Sequence, residues 1–191
     1  MSSFARIVEM SEALESPLDE ASQRRQRELI ALIAAGQHIV LGARATMFYT
    51  RPRYTADVDY AVGKGQFAKI RTWFKRSDLS YEFNGEGIEC PAIRVDVIDG
   101  SRNAVIEEVL GQARGIPSLE AVAALKYVAA IRSTRPYDRR QQDAADLAAL
   151  VLKSGFDAAA FLALLVGPYE AERERAGRVL ADIKAHRSFQ L

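Results

Sequence analysis

The chain has 191 residues, which suits one globular domain or an α/β core with a small helical extension. Its 26 basic and 25 acidic residues nearly cancel, so the overall charge gives no argument for binding to nucleic acid or to a membrane surface. One cysteine excludes an internal disulfide, and the longest apolar stretch, residues 158–166, is too short to span a bilayer, so we expect a cytoplasmic protein that does not contact a membrane.

The first half of the chain is predicted to alternate helices and strands around one sheet. A helix is predicted over residues 17–35, with Ser16 as its cap and Gly36 at its end. The apolar run 38–42, which ends in Gly42, predicts a buried strand. The elements predicted after it are a helix over 43–49, a strand over 56–62, a helix over 66–76, and strands over 81–83 and 93–98 separated by a turn at 84–87.

The second half is predicted to contain only helices. Ser118 is expected to cap a helix that runs to about Ile131, and Asp138 with Gln141 is expected to form a capping box for the next helix, which ends near Gly155. Further helices are predicted over 156–166 and 169–186. We therefore predict an α/β core over residues 1–115, with a small mixed sheet flanked by helices, and a helical subdomain over 116–191.

Asp57 and Asp59 are the strongest candidates for residues of an active site. Because residues two apart in a strand point to the same face, their carboxylates are predicted to project together. Two adjacent carboxylates repel each other, and burying them unpaired is costly. A hard divalent cation such as magnesium takes oxygen ligands and neutralises the pair, and phosphoryl and nucleotidyl transfer use two such ions.

Asp96 would complete an acidic triad. In the predicted strand it shares one face with Arg94, while Val95 and Val97 share the other. If this strand lies beside the strand of Asp57, the three acids meet on one face of the sheet. Asp96 would then be a metal ligand or the base that activates an acceptor hydroxyl.

Each of these features has a simpler structural interpretation. Asp57 and Asp59 could form the solvated face of an edge strand, although the Gly42 turn before them and Asp96 after them favour a site. Lys126 stands in an almost uncharged helix, where it is either a snorkelling lysine at the rim of a buried helix or a phosphate ligand that faces a cleft. An arginine cluster follows, which suits a solvated turn better than RNA phosphates: Arg132, Arg135, Arg139 and Arg140.

The segments Leu41-Gly42-Ala43 and Arg53-Tyr54-Thr55-Ala56-Asp57-Val58-Asp59 resemble the nucleotidyltransferase superfamily. Its pattern is a glycine turn, a short helix and then R-x-[ST]-x-D-hydrophobic-D. Lys126, Arg132 and the segment from Asp143 to Leu147 make the chain similar to the AbiEii-like abortive-infection toxin branch. The resemblance covers residues 30–150 and implies the nucleotidyltransferase fold, an α/β core followed by a helical half.

The resemblance also implies roles for individual residues. Gly42 would give a triphosphate clearance at the start of the following helix, whose amides favour anions. Asp57, Asp59 and Asp96 would bind two magnesium ions. The remaining residues implied to contact or position the nucleotide are Ala43, Arg44, Arg53, Thr55, Lys126 and Asp143, and Asp146 is the alternative to Asp143.

The chain departs from the family pattern at one position. Family members carry Gly or Ser after the glycine of the turn, whereas this chain has Ala43, which lacks a hydroxyl. Arg44 or Thr46 could compensate. Two functions are therefore expected in competition: a magnesium-dependent transferase that moves a nucleoside monophosphate from a triphosphate to an acceptor hydroxyl, and a nucleotide- or RNA-binding module with reduced turnover. The resemblance implies an acceptor such as transfer RNA, a protein or a small molecule, and an antitoxin as partner.

Overall fold

The computed structural model describes residues 18–52, 55 and 57–191. The strands are β1 (His38–Val40), β2 (Val58–Val62), β3 (Glu82–Phe83), β4 (Gly87–Cys90) and β5 (Val95–Asp99). The helices are α1 (Glu20–Ala34), α2 (Gly42–Tyr49), α3 (Lys64–Arg76), α4 (Ala104–Gln112), α5 (Leu119–Ile131), α6 (Tyr137–Val151), α7 (Ala158–Ala163) and α8 (Arg173–Lys184). Short 3-10 helices cover Pro91–Ile93, Gly100–Arg102 and Gly167–Glu172.

The five strands form one mixed sheet in the order β1-β2-β5-β4-β3. Only β2 and β5 run parallel, and the other neighbours are antiparallel. The register places Asp59 of β2 directly beside Asp96 of β5. The predicted small mixed sheet flanked by helices is confirmed, and the two strands that carry the acids are neighbours.

The two faces of the sheet have different partners. Side chains alternate along a strand, so Val95 and Val97, which are fully buried, point away from Asp96. Phe83 lies on the same face as Val97, because both are in register with Ile88. Phe67 of α3 contacts Phe83 with ring centroids 6.4 Å apart, so α3 covers the apolar face. Asp59 and Asp96 occupy the opposite face.

Helix α1 packs beside α3, and its residues Leu29 and Ile33 are fully buried in the core. Its N-cap is Asp19, whose carboxylate accepts a hydrogen bond of 2.8 Å from Ser22 N. The predicted cap Ser16 and the first predicted helical residue, Pro17, lie outside the described residues. Burying each of these large apolar side chains stabilises the fold by roughly 1.5–3 kcal/mol.

Three predictions in the first half need correction. The predicted strand over 93–98 begins only at Val95, because Pro91 starts a 3-10 helix and Arg94 adopts a left-handed conformation with φ 52°. Arg94 therefore does not share a strand face with Asp96. Strand β4 was not predicted and takes Gly87 from the predicted turn. Asp57 immediately precedes β2 and is not part of it.

The second half is helical, as predicted. Ser118 caps α5, since its hydroxyl accepts a hydrogen bond of 3.2 Å from Ala121 N. The predicted capping box is wrong, because α6 begins at Tyr137 after Pro136 and Asp138 already lies in its first turn. The last two helices are shorter than predicted, covering Ala158–Ala163 and Arg173–Lys184. No helix in the described residues combines the length and apolarity needed to cross a bilayer.

Candidate functional site

The turn between β1 and α2 requires glycine for two reasons. Gly42 has φ +60°, a conformation that residues with a Cβ rarely adopt. A Cβ at this position would also collide with Asp59 Oδ2. The backbone holds the two segments together, because Leu41 N donates a hydrogen bond of 2.8 Å to Asp59 O. Gly42 therefore lets the start of a helix approach a carboxylate of the triad.

Two strands and one loop position the three acids. Asp59 and Asp96 are neighbours in the parallel register of β2 and β5. The Thr55 hydroxyl donates to Asp57 Oδ1 at 2.9 Å, which orients the Asp57 carboxylate. Cys90 N of β4 donates to Asp96 Oδ1 at 3.3 Å. The three acids are thus held by contacts from different parts of the core.

The acids raise one another's proton affinity. Burial raises the pKa of Asp59 from 3.8 to about 7, with further increases from the charges of Asp57 and Asp96, while Lys126 and Arg135 oppose the shift. Burial and the charge of Asp57 also raise the pKa of Asp96 to about 6. Without a counter-charge, the ionised acids destabilise each other.

The chemistry of this cluster fits a divalent cation. Carboxylate oxygens are the ligands that magnesium prefers, and a cation would remove the repulsion that raises the two pKa values. In the described part of the chain, no group of three or more His, Cys, Asp or Glu residues is arranged so that it could hold a metal ion. The prediction of two ions stays a prediction.

Lys126 is buried and lies between two carboxylates. Its Nζ is 2.8 Å from Asp143 Oδ1 and 2.7 Å from Asp146 Oδ2, and only 6% of the residue is exposed. Both acids reach the ammonium because residues three apart on a helix lie on one face. The sequence left open which aspartate orients Lys126; both of them contact it. A snorkelling lysine would keep its ammonium in water, which this one does not.

The arginine cluster divides between the site and its surroundings. Arg135 Nε lies 2.7 Å from Asp143 Oδ2, an ion pair without the alignment of a hydrogen bond. Arg132 donates through its two terminal guanidinium nitrogens to the carboxylate of Glu86, in the turn before β4. Arg140 Nε donates to Ala130 O at 3.0 Å. Three of the four arginines therefore have specific partners, although Arg132, Arg135 and Arg139 are exposed, as expected for a solvated turn.

A pocket of about 180 Å³ connects these groups. Gly42 and Asp59 line it on the side of the sheet, and Lys126, Arg135 and Asp143 line it on the side of the helices. Arg132 and Asn103 also line it, with apolar residues of α4 and α5. The pocket therefore has Asp59 on the wall formed by the sheet, and three cations together with Asp143 on the wall formed by the helices.

The residues expected to replace the hydroxyl missing at Ala43 bind the backbone. Arg44 is buried, and its NH2 and Nε atoms donate to the carbonyls of Thr55 at 3.1 Å and Asp57 at 3.4 Å. Thr46 Oγ1 donates to Gly42 O at 3.0 Å. Ala43 itself is buried. Arg44 thus orients the loop that carries Asp57, a role that the sequence did not suggest.

Arg53, predicted to shape the site, lies outside the described residues. Glu86, Asn103 and the pairing of Arg135 with Asp143 were missed by sequence reasoning. Asn103 had a signal, because its side chain caps α4 by accepting hydrogen bonds from Val105 N and Ile106 N. Glu86 meets Arg132 across 46 residues, a long-range contact without a local signal. No protein-family model matches the chain, and no curated protein matches it significantly.

Proposed function

We propose that the protein is a magnesium-dependent nucleotidyltransferase, which moves a nucleoside monophosphate from a nucleoside triphosphate to an acceptor hydroxyl. The observation that carries this proposal is the juxtaposition of Asp59 and Asp96 on one sheet face with Asp57 of the preceding loop, beside the Gly42 turn. A cluster of carboxylates that destabilise each other is costly to maintain, which supports a function for it. Asp59 of this cluster lines a pocket, which supports a function that uses a ligand.

In this proposal the reaction is an in-line displacement at the α-phosphorus. The acceptor oxygen forms a bond to the α-phosphorus, the bond from that phosphorus to the bridging oxygen breaks, and pyrophosphate leaves. Magnesium, when bound, would neutralise the charge of the acids and of the phosphates. The acceptor proton moves to the Asp96 carboxylate, whose raised pKa of about 6 suits a general base near neutral pH; in the alternative assignment Asp96 is a metal ligand only.

The remaining residues position the substrate. Because Gly42 lacks a Cβ, the start of α2 can approach the Asp59 carboxylate closely, and its backbone amides would bind phosphate oxygens beside that acid. Lys126 has three N–H donors, of which the two aspartates occupy two among the described residues, so one is available to the triphosphate. Asp143 and Asp146 hold the ammonium at this place.

Label transfer tests the proposal. The protein is incubated with each labelled triphosphate, magnesium, and total RNA or cell extract, and transfer to an acceptor is measured. Asp57→Asn and Asp59→Asn should each abolish transfer, whereas Asp78→Asn, at an exposed acid remote from the pocket, should leave it unchanged. Transfer that persists in both site variants would show that the active site lies elsewhere.

A nucleotide-binding module with reduced turnover is the second candidate, and one observation favours it. Arg44 Nη2 and Thr46 Oγ1 bond to backbone carbonyls, which engages the groups expected to replace the hydroxyl missing at Ala43. For this candidate we expect magnesium-dependent triphosphate binding without transfer to any acceptor. Ala43→Ser should then restore transfer if the hydroxyl is the missing element.

The resemblance to the toxin branch adds a proposal about the biological role. A toxin with an antitoxin partner should arrest growth when it is expressed alone, and Asp59→Asn should relieve the arrest. If Asp59→Asn arrests growth as strongly as the wild type does, the toxicity does not depend on nucleotidyl transfer.

A further inference from the structure

Helix α3 has a solvent-exposed face that is strongly basic. It carries five cations and no carboxylate over Lys64–Arg76, although the whole chain has a net charge of only +1. All five cations are exposed: Lys64, Lys69, Arg71, Lys75 and Arg76. Among the described residues none of the five pairs with a carboxylate. The acids Glu28 and Asp78 both pair with Arg25 of α1.

The cations form two rows along the helix. At 100° per residue, one row contains Lys64, Arg71 and Lys75. The second row contains Lys69 and Arg76. Small residues lie between the rows, namely Gly65, Ala68 and Thr72, all of them exposed. A linear polyanion can therefore lie along the helix between two rows of positive charge.

An exposed aromatic ring borders the first row. Phe83 of the edge strand β3 is 43% exposed, and the guanidinium of Arg71 lies over its ring, 4.7 Å from the centroid. Proteins that bind single-stranded nucleic acid combine a positive track with aromatic or cation–π platforms on which bases stack. An anionic membrane surface needs only the charges and gives no role to one aromatic ring at a sheet edge.

We propose that the outer face of α3, with Phe83 at its border, binds the phosphate backbone of single-stranded nucleic acid and stacks a base on Phe83. This surface lies on the side of the sheet opposite to Asp59, because α3 covers the apolar face. The proposal therefore does not depend on the proposed transferase function. Five neutralised phosphates predict that affinity falls about 100-fold between about 50 and 200 mM salt.

Fluorescence anisotropy with labelled oligouridine tests the charges. The variant Lys69→Gln, Arg71→Gln, Lys75→Gln should bind more weakly than the wild type, and its affinity should fall only about sevenfold over the same salt range. The matched control removes three exposed cations from α8 (Arg175→Gln, Arg178→Gln, Lys184→Gln) and should retain the wild-type salt dependence. No binding by the wild type at low salt, or an equal loss in the control, would overturn the proposal.

Phe83→Leu tests the stacking and keeps apolar contact with Phe67. We expect it to bind oligouridine about fivefold or more weakly, with an unchanged salt slope. An unchanged affinity would overturn the assignment to single strands. Vesicles with phosphatidylserine are the second probe: if they bind the protein more tightly than oligouridine and Phe83→Leu has no effect on either, the partner is a membrane and the proposal is wrong.

Discussion

Asp59→Asn should stabilise the metal-free protein at alkaline pH, although it removes an acid that the proposed reaction requires. The pKa of Asp59 is raised from 3.8 to about 7 in the folded protein by burial and by the charges of Asp57 and Asp96. Between these two pH values the folded state binds more protons than the unfolded state. The free energy of unfolding therefore falls as the pH rises from about 4 to about 7, and the loss is complete above that range.

The size of the effect follows from the shift. A difference of about three pKa units corresponds to a ceiling of about 4 kcal/mol. Asp59 keeps partial contact with solvent, which screens its charge. The repulsion among the three acids also belongs to the group as a whole and cannot be assigned to Asp59 alone. We therefore expect roughly half of this value, about 2 kcal/mol. For a chain of this length, that change corresponds to about 4–8 °C in the melting temperature.

Urea unfolding in EDTA at pH 5 and at pH 8 measures the effect. At pH 8 Asp59→Asn should be more stable than the wild type, and at pH 5 the difference should shrink, because the wild-type acid is protonated. Magnesium at pH 8 should stabilise the wild type and not the variant. Asp78→Asn, at a mostly exposed acid, is the control and should change stability little at either pH. If Asp59→Asn is equally destabilised at both pH values, the repulsion inferred for the three acids does not exist.

Further predictions concern Gly42 and the Lys126 network. Gly42→Ala should lower stability by about 2 kcal/mol or more and abolish nucleotide binding, because a Cβ would collide with Asp59; urea unfolding and equilibrium binding of labelled triphosphate would measure both. Lys126→Met should cost about 3 kcal/mol in urea unfolding at pH 7, since it leaves the buried Asp143 and Asp146 without their shared cation; retention of wild-type stability would contradict the pairing. Asp143→Asn and Asp146→Asn should each destabilise less than Lys126→Met, because the other aspartate still pairs with the ammonium, and the same titrations would rank the three variants.

The sequence predicted local features well where a short pattern determines them. Ser118 caps its helix as expected, because an N-cap depends on residues three apart in the chain. The positions of Asp59 and Asp96 were predicted on the condition that their strands are neighbours, and the parallel register provides this. Gly42 was predicted as a turn, but its close approach to Asp59 depends on the pairing of distant segments.

The rest depends on contacts that no local pattern contains. Strand β4 was missed because Gly87–Cys90 is short and needs β5 beside it to be stable. The start of β5 was misplaced because Pro91 begins a 3-10 turn that an apolar pattern does not reveal. The pairing of Lys126 with both aspartates could have been predicted, since Asp143 and Asp146 are three residues apart on a predicted helix and therefore lie on one face of it.

The distribution of charge around the pocket connects the metal to the nucleotide in the proposed function. On the side of the helices, the three cations Lys126, Arg132 and Arg135 are matched by three carboxylates, so these groups present no net positive charge to a triphosphate. On the side of the sheet Asp59 lines the pocket, with Asp57 and Asp96 close enough to raise its pKa, and none of these three acids forms an ion pair with a cation among the described residues. A triphosphate alone would meet repulsion from one wall and little net attraction from the other, whereas a triphosphate bound to magnesium supplies the missing positive charge to the acids. We therefore expect the cation and the nucleotide to enter the pocket together, with the helical cations orienting the phosphates and the acids holding the metal.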